Sequence, residues 1–266
     1  MEFVLSVVEY SQHDQFKSEY LSYSDFKREF AYKGESLYSL IFNRNKDKIR
    51  ISKEKFAVKN LRKIIDATFH LSSKIGFQAM SLRDLSTETG LSMGGLYSSI
   101  SSKETIAIMV KDVVALVCED IVEESRQQQD PAIALEILVR GYLYASTLMH
   151  HWFYFLYFET RSLPPVDQEQ SKNIELTQVE ELEKRINQLV LKKAKLGGGG
   201  ESKDGVDVCH KSEFVATMAL SLIQERYLKP WKYHQAEKTI DDYADNCLRL
   251  IYRAVCVEED TSCSTG

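Results

Sequence analysis

An all-α fold follows from three observations. From about position 53 onward apolar residues recur at three- and four-residue spacing, as one buried helix face requires. Only 12 Gly and 4 Pro interrupt 266 residues, so breakers are few. Where the periodicity stops it does so at capping serines, an Asp-Pro pair and glycines, which cut the chain into helices of ordinary length. The predicted organisation is an N-terminal extension (1–52), a three-helix head (53–102), a larger helical domain (103–257) and a polar tail (258–266).

The extension shows neither a clean helical period nor sustained alternation. It carries Phe3, Tyr10, Phe16, Tyr20, Tyr23, Phe26, Phe30, Tyr32, Tyr38 and Phe42, too many rings for a disordered tail, so it is expected to fold onto something. Ile49-Arg50-Ile51 reads equally as a short strand or as the lead-in to a helix. Leu61, Ile64, Ile65, Thr68, Leu71, Ser72 and Ile75 then form one helical face that ends at Gly76. Ser81 with Asp84 three residues on marks a capping start, and that helix stops at Gly90. Ser92 caps a short helix through Ser98, and Ser102 opens a long one to about position 129.

Asp130-Pro131 starts the next helix, with Ile133, Ile137, Val139, Leu143 and Leu148 on it. The run from His150 to Phe158, closed by Pro164-Pro165, is too aromatic for water and must line a core or a pocket. Residues 167–196 are acidic early and basic late, which complements a helix dipole. Gly197 to Gly200 is a flexible break. Two amphipathic helices, about 206–229 and 236–256, close the ordered chain.

Composition narrows the function classes. A hydrophobic share of 44% and a charged share of 27% suit a globular protein, and the longest apolar run, Trp152 to Phe158, is far below the roughly 20 residues of a membrane span. The N-terminus lacks the basic region of a secretory signal, so a cytoplasmic location is expected. Cysteines 118, 209, 247, 256 and 263 form no C-x-x-C pair, and reduced thiols are the plain reading. No nucleophile elbow, phosphate loop or dinucleotide fingerprint is present, and His150-His151 point to different helix faces. No enzyme, metal or cofactor is therefore expected.

The net charge of −5 hides an asymmetry. Residues 1–110 hold 16 Lys+Arg against 13 Asp+Glu, whereas the remainder holds 18 against 26. Nine cations, including Arg44, Lys46, Lys48, Arg50, Lys53, Lys55 and Lys63, lie between Phe42 and Lys63. Such a run is either a solvated helix face or a phosphate-facing one.

Gly76 to Glu104 carries the functional signal. Short helical segments separated by the turn Gly90-Leu91-Ser92 have the spacing of a helix-turn-helix, in which the second helix projects into a major groove. Gly94, Gly95, Ser98 and Ser99 are small enough to let backbone approach a duplex. One such module buries little area, so two copies related by a two-fold axis are expected, with the two C-terminal helices as the self-association surface.

Gly76-Phe77-Gln78-Ala79-Met80-Ser81-Leu82-Arg83-Asp84-Leu85-Ser86, then Gly90-Leu91-Ser92-Met93-Gly94-Gly95-Leu96-Tyr97, then Ser102-Lys103-Glu104, resembles the DNA-binding domain of the TetR/AcrR family of bacterial transcriptional regulators. The resemblance covers roughly residues 55–110. It implies DNA contacts from Ser81, Arg83, Ser92, Met93, Gly94, Gly95, Tyr97 and Ser98, with Tyr97 and Lys103 on phosphates. Ser86, Ser99 and Ile100 depart from the residues common in that family. A pocket between helices is expected to be walled by Tyr142, Trp152, Phe155, Tyr157 and Phe158, with Arg161 placed to pair with a carboxylate. Residues 154–164 are similar to a segment of family members that answer to acyl-CoA or other hydrophobic acids, which implies a small hydrophobic effector. The expected protein is a homodimeric repressor on a palindromic operator, released by that effector through the long helix from Lys103. The alternative is an interaction or structural module that works through the aromatic extension.

Overall fold

In a computed structural model of the chain, residues 22–196, 205–233 and 239–256 are described. The glycine break, the tail from 258, and the rings at 3, 10, 16 and 20 lie outside them. The described residues form α-helices and two short 3-10 turns, with no strand among them. In chain order the helices are α1 (Tyr23–Glu29), α2 (Gly34–Arg44), α3 (Glu54–Ile75), α4 (Leu82–Thr89), α5 (Met93–Ser99) and α6 (Lys103–Gln127). There follow α7 (Pro131–Leu148), α8 (His150–Glu159), α9 (Pro165–Leu196), α10 (Gly205–Leu228) and α11 (Ile240–Cys256). No single helix among the described residues is long and apolar enough to cross a membrane; α7 and α8 reach that measure only when joined across the break at Met149.

The chain divides into two compact units. Among the described residues, one comprises 26–119 and 145–175, and the other 22–25, 120–144, 176–196, 205–233 and 239–256.

The first unit is built around α3. Its apolar spacing puts Ala57, Val58, Leu61, Ile64, Ile65 and Thr68 on a wholly buried face. Leu85 of α4 and Leu96 of α5 meet that face and are fully buried, each burial contributing about 1.5–3 kcal/mol. Gly76 ends α3 with φ +80°, its N–H donating to the Ser72 carbonyl at 2.9 Å.

The head begins earlier than position 53. Leu37, Tyr38, Ile41 and Phe42 form the buried face of α2, which packs against α3, so this part of the extension belongs to the head core. The interspersed Glu35, Ser36, Ser39 and Asn43 side chains mask its period in the sequence. Ile49-Arg50-Ile51 is a lead-in and not a strand: the Arg50 N–H donates to the Ser98 carbonyl at the end of α5 at 2.9 Å, and Ile49 is buried.

Further along in the same unit, α8 packs on α3. Phe69 lies 5.3 Å from the Trp152 ring and 5.6 Å from Phe155, and Phe77 meets Phe155 edge-on at 5.2 Å. The Glu159 carboxylate accepts the Ser162 hydroxyl at 3.0 Å. Buried Lys111 of α6 donates to Asp167 at 2.8 Å and to Gln170. Burial pulls the Lys111 pKa down, but the hydrogen bond to Asp167 and the Asp112 charge outweigh it and leave it raised.

In the second unit α6 and α7 approach closely at Gly141, where a Cβ would stand 2.8 Å from Ile121 Cγ2. The Ser125 hydroxyl donates to the Ala134 carbonyl at 3.0 Å, and Arg185 of α9 donates to the Ser125 carbonyl at 3.1 Å. Arg140 bonds Glu136 at 2.7 Å, the Tyr144 hydroxyl at 2.9 Å and Asp245 of α11. Asp241 accepts the Tyr144 hydroxyl and the Tyr23 N–H, so the start of α1 is tied to the first turn of α11. The Tyr243 hydroxyl fixes α11 to α10 through the Leu222 carbonyl at 2.7 Å.

Candidate nucleic-acid interface

The turn between α4 and α5 is held by local bonds that the sequence specifies. Ser81 caps α4: the Asp84 N–H donates to its hydroxyl oxygen at 3.2 Å, while the Ser81 N–H and hydroxyl donate to Asp84 Oδ2 at 2.8 and 2.6 Å. These bonds, the side-chain one foremost, hold the Asp84 carboxyl below its ordinary pKa. Gly90 ends α4 in the left-handed region at φ +68°, a conformation that penalises any Cβ. Ser92 caps α5 by accepting the Gly95 N–H at 3.1 Å.

Three residues away from the common pattern turn out to have partners. The Ser86 hydroxyl donates to the Leu91 carbonyl at 2.6 Å and so clamps the turn. Ser99 is fully buried; its hydroxyl donates to the Gly95 carbonyl at 3.2 Å and accepts from Asn60 of α3 at 3.3 Å. Ile100 is buried behind α5. Lys63 reaches the Thr89 carbonyl at 3.4 Å, closing the end of α4. Among these positioning residues Lys63 belongs to the basic run and Ser86, Ser99 and Ile100 are departures from the family pattern, while Asn60 carries no signal of its own in the sequence.

Arg83, Ser92, Gly94 and Tyr97 are exposed on the two short helices, Tyr97 with 46% of its surface open. Ser81 is exposed as well, and Met93, Gly95 and Ser98 are half-buried. Arg83 makes no ion pair among the described residues, so its guanidinium is available to an outside acceptor. The Ser98 hydroxyl is turned inward to the Gly95 carbonyl at 2.7 Å. Exposed Arg50, joined through its backbone to Ser98, and exposed Lys53 bring the basic run beside the end of α5.

Lys103 has another task than the phosphate contact expected of it. Its ammonium donates to the carbonyls of Phe77, Gln78 and Met80 at 2.9, 2.9 and 3.0 Å, and lies 5.0 Å from the Phe77 ring centroid. Three protons meet three acceptors, which leaves none directed outward.

Of the residues expected to wall an effector pocket, the Tyr157 and Phe158 rings meet edge-on at 5.4 Å. Tyr142 belongs to the second unit and the others to the first. Phe155 is committed to the Phe69 and Phe77 rings, Tyr157 and Phe158 are 46% and 44% exposed, and Arg161 is exposed. Trp152 lines a cavity of about 450 Å³ together with residues of α1, α2 and α3. No group of His, Cys, Asp and Glu among the described residues is placed to hold a metal.

No family profile matches the chain, and no curated protein matches it. Among solved structures it is similar to PfmR, a TetR family transcriptional regulator from Thermus thermophilus, with a TM-score of 0.54 and 20% identity over 71% of this chain and 97% of that one. A bacterial regulatory protein in the tetR family from Rhodococcus RHA1 matches with a TM-score of 0.58 and 17% identity, over 75% of this chain and 99% of the other. AibR in complex with isovaleryl coenzyme A and operator DNA matches at 0.54 and 16%, over 72% and 97%. The chain therefore has the fold of the TetR-family regulators: a helix-turn-helix head followed by a helical C-terminal domain.

Proposed function

We propose that the chain is a TetR-like transcriptional regulator that binds a palindromic operator as a homodimer, represses, and is released by a small hydrophobic effector. The observation that carries this reading is the capped pair α4 and α5. Its turn is fixed by left-handed Gly90 and by the Ser86 and Ser92 bonds, and its open face presents Arg83, Ser92, Gly94 and Tyr97. A rigid, exposed helix pair flanked by cations is what groove entry and phosphate neutralisation require.

Pairing is supported by α10. Phe214, Thr217 and Ser221 are exposed and Met218 is half-buried at successive turns, with Phe214 71% open, while the opposite face buries Val215, Ala219 and Ile223. An uncovered stripe of this kind suits a two-fold four-helix contact formed with α11. The neighbour AibR is seen with both operator DNA and a coenzyme A ester, which supports a regulator with an acyl-type effector. The interaction-module alternative is weakened by α2, since that part of the extension is occupied within the head.

The test is selection of the duplex fragments that the purified chain retains, followed by titration of the chosen site and of random DNA across salt. A palindromic winner bound far more tightly than random duplex is expected. Arg83→Ala should lose about 1–3 kcal/mol on the operator and much less on random DNA. Equal affinity for all duplexes, or none in dilute buffer, would overturn the reading.

A further inference from the structure

The 450 Å³ cavity in the first unit lies where α1 runs into α2, against α3 and the start of α8. Its volume is within the ~300–1,000 Å³ typical of small-molecule sites. Phe30, Leu37, Met149 and Trp152 supply an apolar body, with the Tyr38 ring 6.5 Å from that of Trp152. Most of these residues are buried, so the walls are fixed by the head core.

The rim is cationic. Lys27, Lys33 and Arg62 line the cavity against one acid, Asp66. That acid is already engaged: it accepts the Tyr38 hydroxyl at 3.1 Å and lies 3.7 Å from Arg62. Lys33 donates to the Lys27 carbonyl at 3.1 Å and to that of Arg28, which anchors its charge at the end of α1. Lys27 forms no ion pair among the described residues. An apolar chamber with surplus positive charge at its mouth is complementary to an amphipathic anion.

We infer that this cavity binds a monoanionic carboxylate with an aliphatic or aryl body, the body against Trp152 and Phe30 and the carboxylate between Lys27 and Arg62. Neither the extension nor this end of the head belonged to the expected effector pocket. Because Tyr38, Arg62 and Asp66 belong to α2 and α3, a bound acid touches the scaffold of the helix-turn-helix directly. This deepens the regulator reading and rests on it for any effect on DNA.

The chain has two tryptophans, so Trp231→Phe leaves Trp152 as the single reporter in the full chain. Sodium decanoate should shift its emission saturably, and decan-1-ol, neutral with the same chain length, should bind at least five-fold more weakly. Lys27→Ala with Arg62→Ala, both exposed and therefore compatible with folding as checked by circular dichroism, should weaken decanoate at least five-fold. An unresponsive Trp152, or equal dissociation constants for acid and alcohol or for parent and double variant, would overturn the site. Binding is read without DNA, so a chain that takes decanoate but ignores every duplex sinks the regulator reading alone, and a chain that selects an operator while Trp152 is silent sinks this site alone.

Discussion

Lys103→Ala separates two roles that a basic residue at the start of α6 could play. In the structure its ammonium spans the carbonyls of Phe77, Gln78 and Met80 at 2.9–3.0 Å, joining the start of α6 to the segment between α3 and α4. A hydrogen bond to a charged group contributes about 1.5–3 kcal/mol. The three here are not additive, because the Gln78 contact is exposed and water can replace it. A loss of about 2–3 kcal/mol is expected, which for a unit of this size lowers the melting temperature by roughly 4–12 °C. Thermal melting by circular dichroism reads that quantity. Titration of operator DNA against salt reads the other: an ammonium with no proton left for phosphate leaves the slope of log K on log salt unchanged, whereas a phosphate contact would lower it by about 0.9. An unchanged melting point with a slope reduced by about one would refute the assignment.

Other consequences are open to direct measurement. Gly90→Ala meets no atom within 4 Å, so its cost comes from the left-handed backbone alone, about 1–2 kcal/mol, measurable as a lowered urea midpoint; no change would mean that the turn relaxes freely. Glu124 is pushed up to about 7 by burial and by the Asp120 charge, above its ordinary 4.5. The folded state therefore favours the neutral acid, and stability contributed below pH 4.5 is lost as pH rises to about 7, a span of about 3 kcal/mol before solvent screening reduces it. Glu124→Gln should flatten stability between those pH values, and an unaltered pH profile would contradict the assignment. Phe214→Glu places a charge on the open stripe of α10, and sedimentation should show monomer where the parent chain is a dimer; a dimer of unchanged affinity would move the interface elsewhere.

The helix-turn-helix was legible because its signals are local. Ser81 with Asp84, Gly90 and Ser92 act within four residues of themselves, so spacing in the chain fixes their bonds in space. The α3 face was legible for the same reason, since residues three and four apart share a side of any helix. The extension was not. Its α2 face is interrupted by exposed residues, and its partner, α3, starts ten residues beyond its end. The effector residues were grouped by aromaticity, and aromaticity does not say whether a ring meets solvent, another ring or a ligand. Phe155 and Phe158 are three residues apart on α8, yet one is locked between Phe69 and Phe77 and the other is 44% exposed.

By itself the sequence determined where α3, α4 and α5 start and stop and that the last two form the turn, because caps and periodicity are short-range hydrogen bonds and burial. Only the tertiary structure decided how distant polar and aromatic groups are used. Lys103 finds acceptors 23–26 residues away, Ser99 finds Asn60, and Trp152 lines a cavity with residues more than a hundred positions earlier. A side chain's chemistry states what it can bind, and packing alone determines which of the possible partners comes within reach.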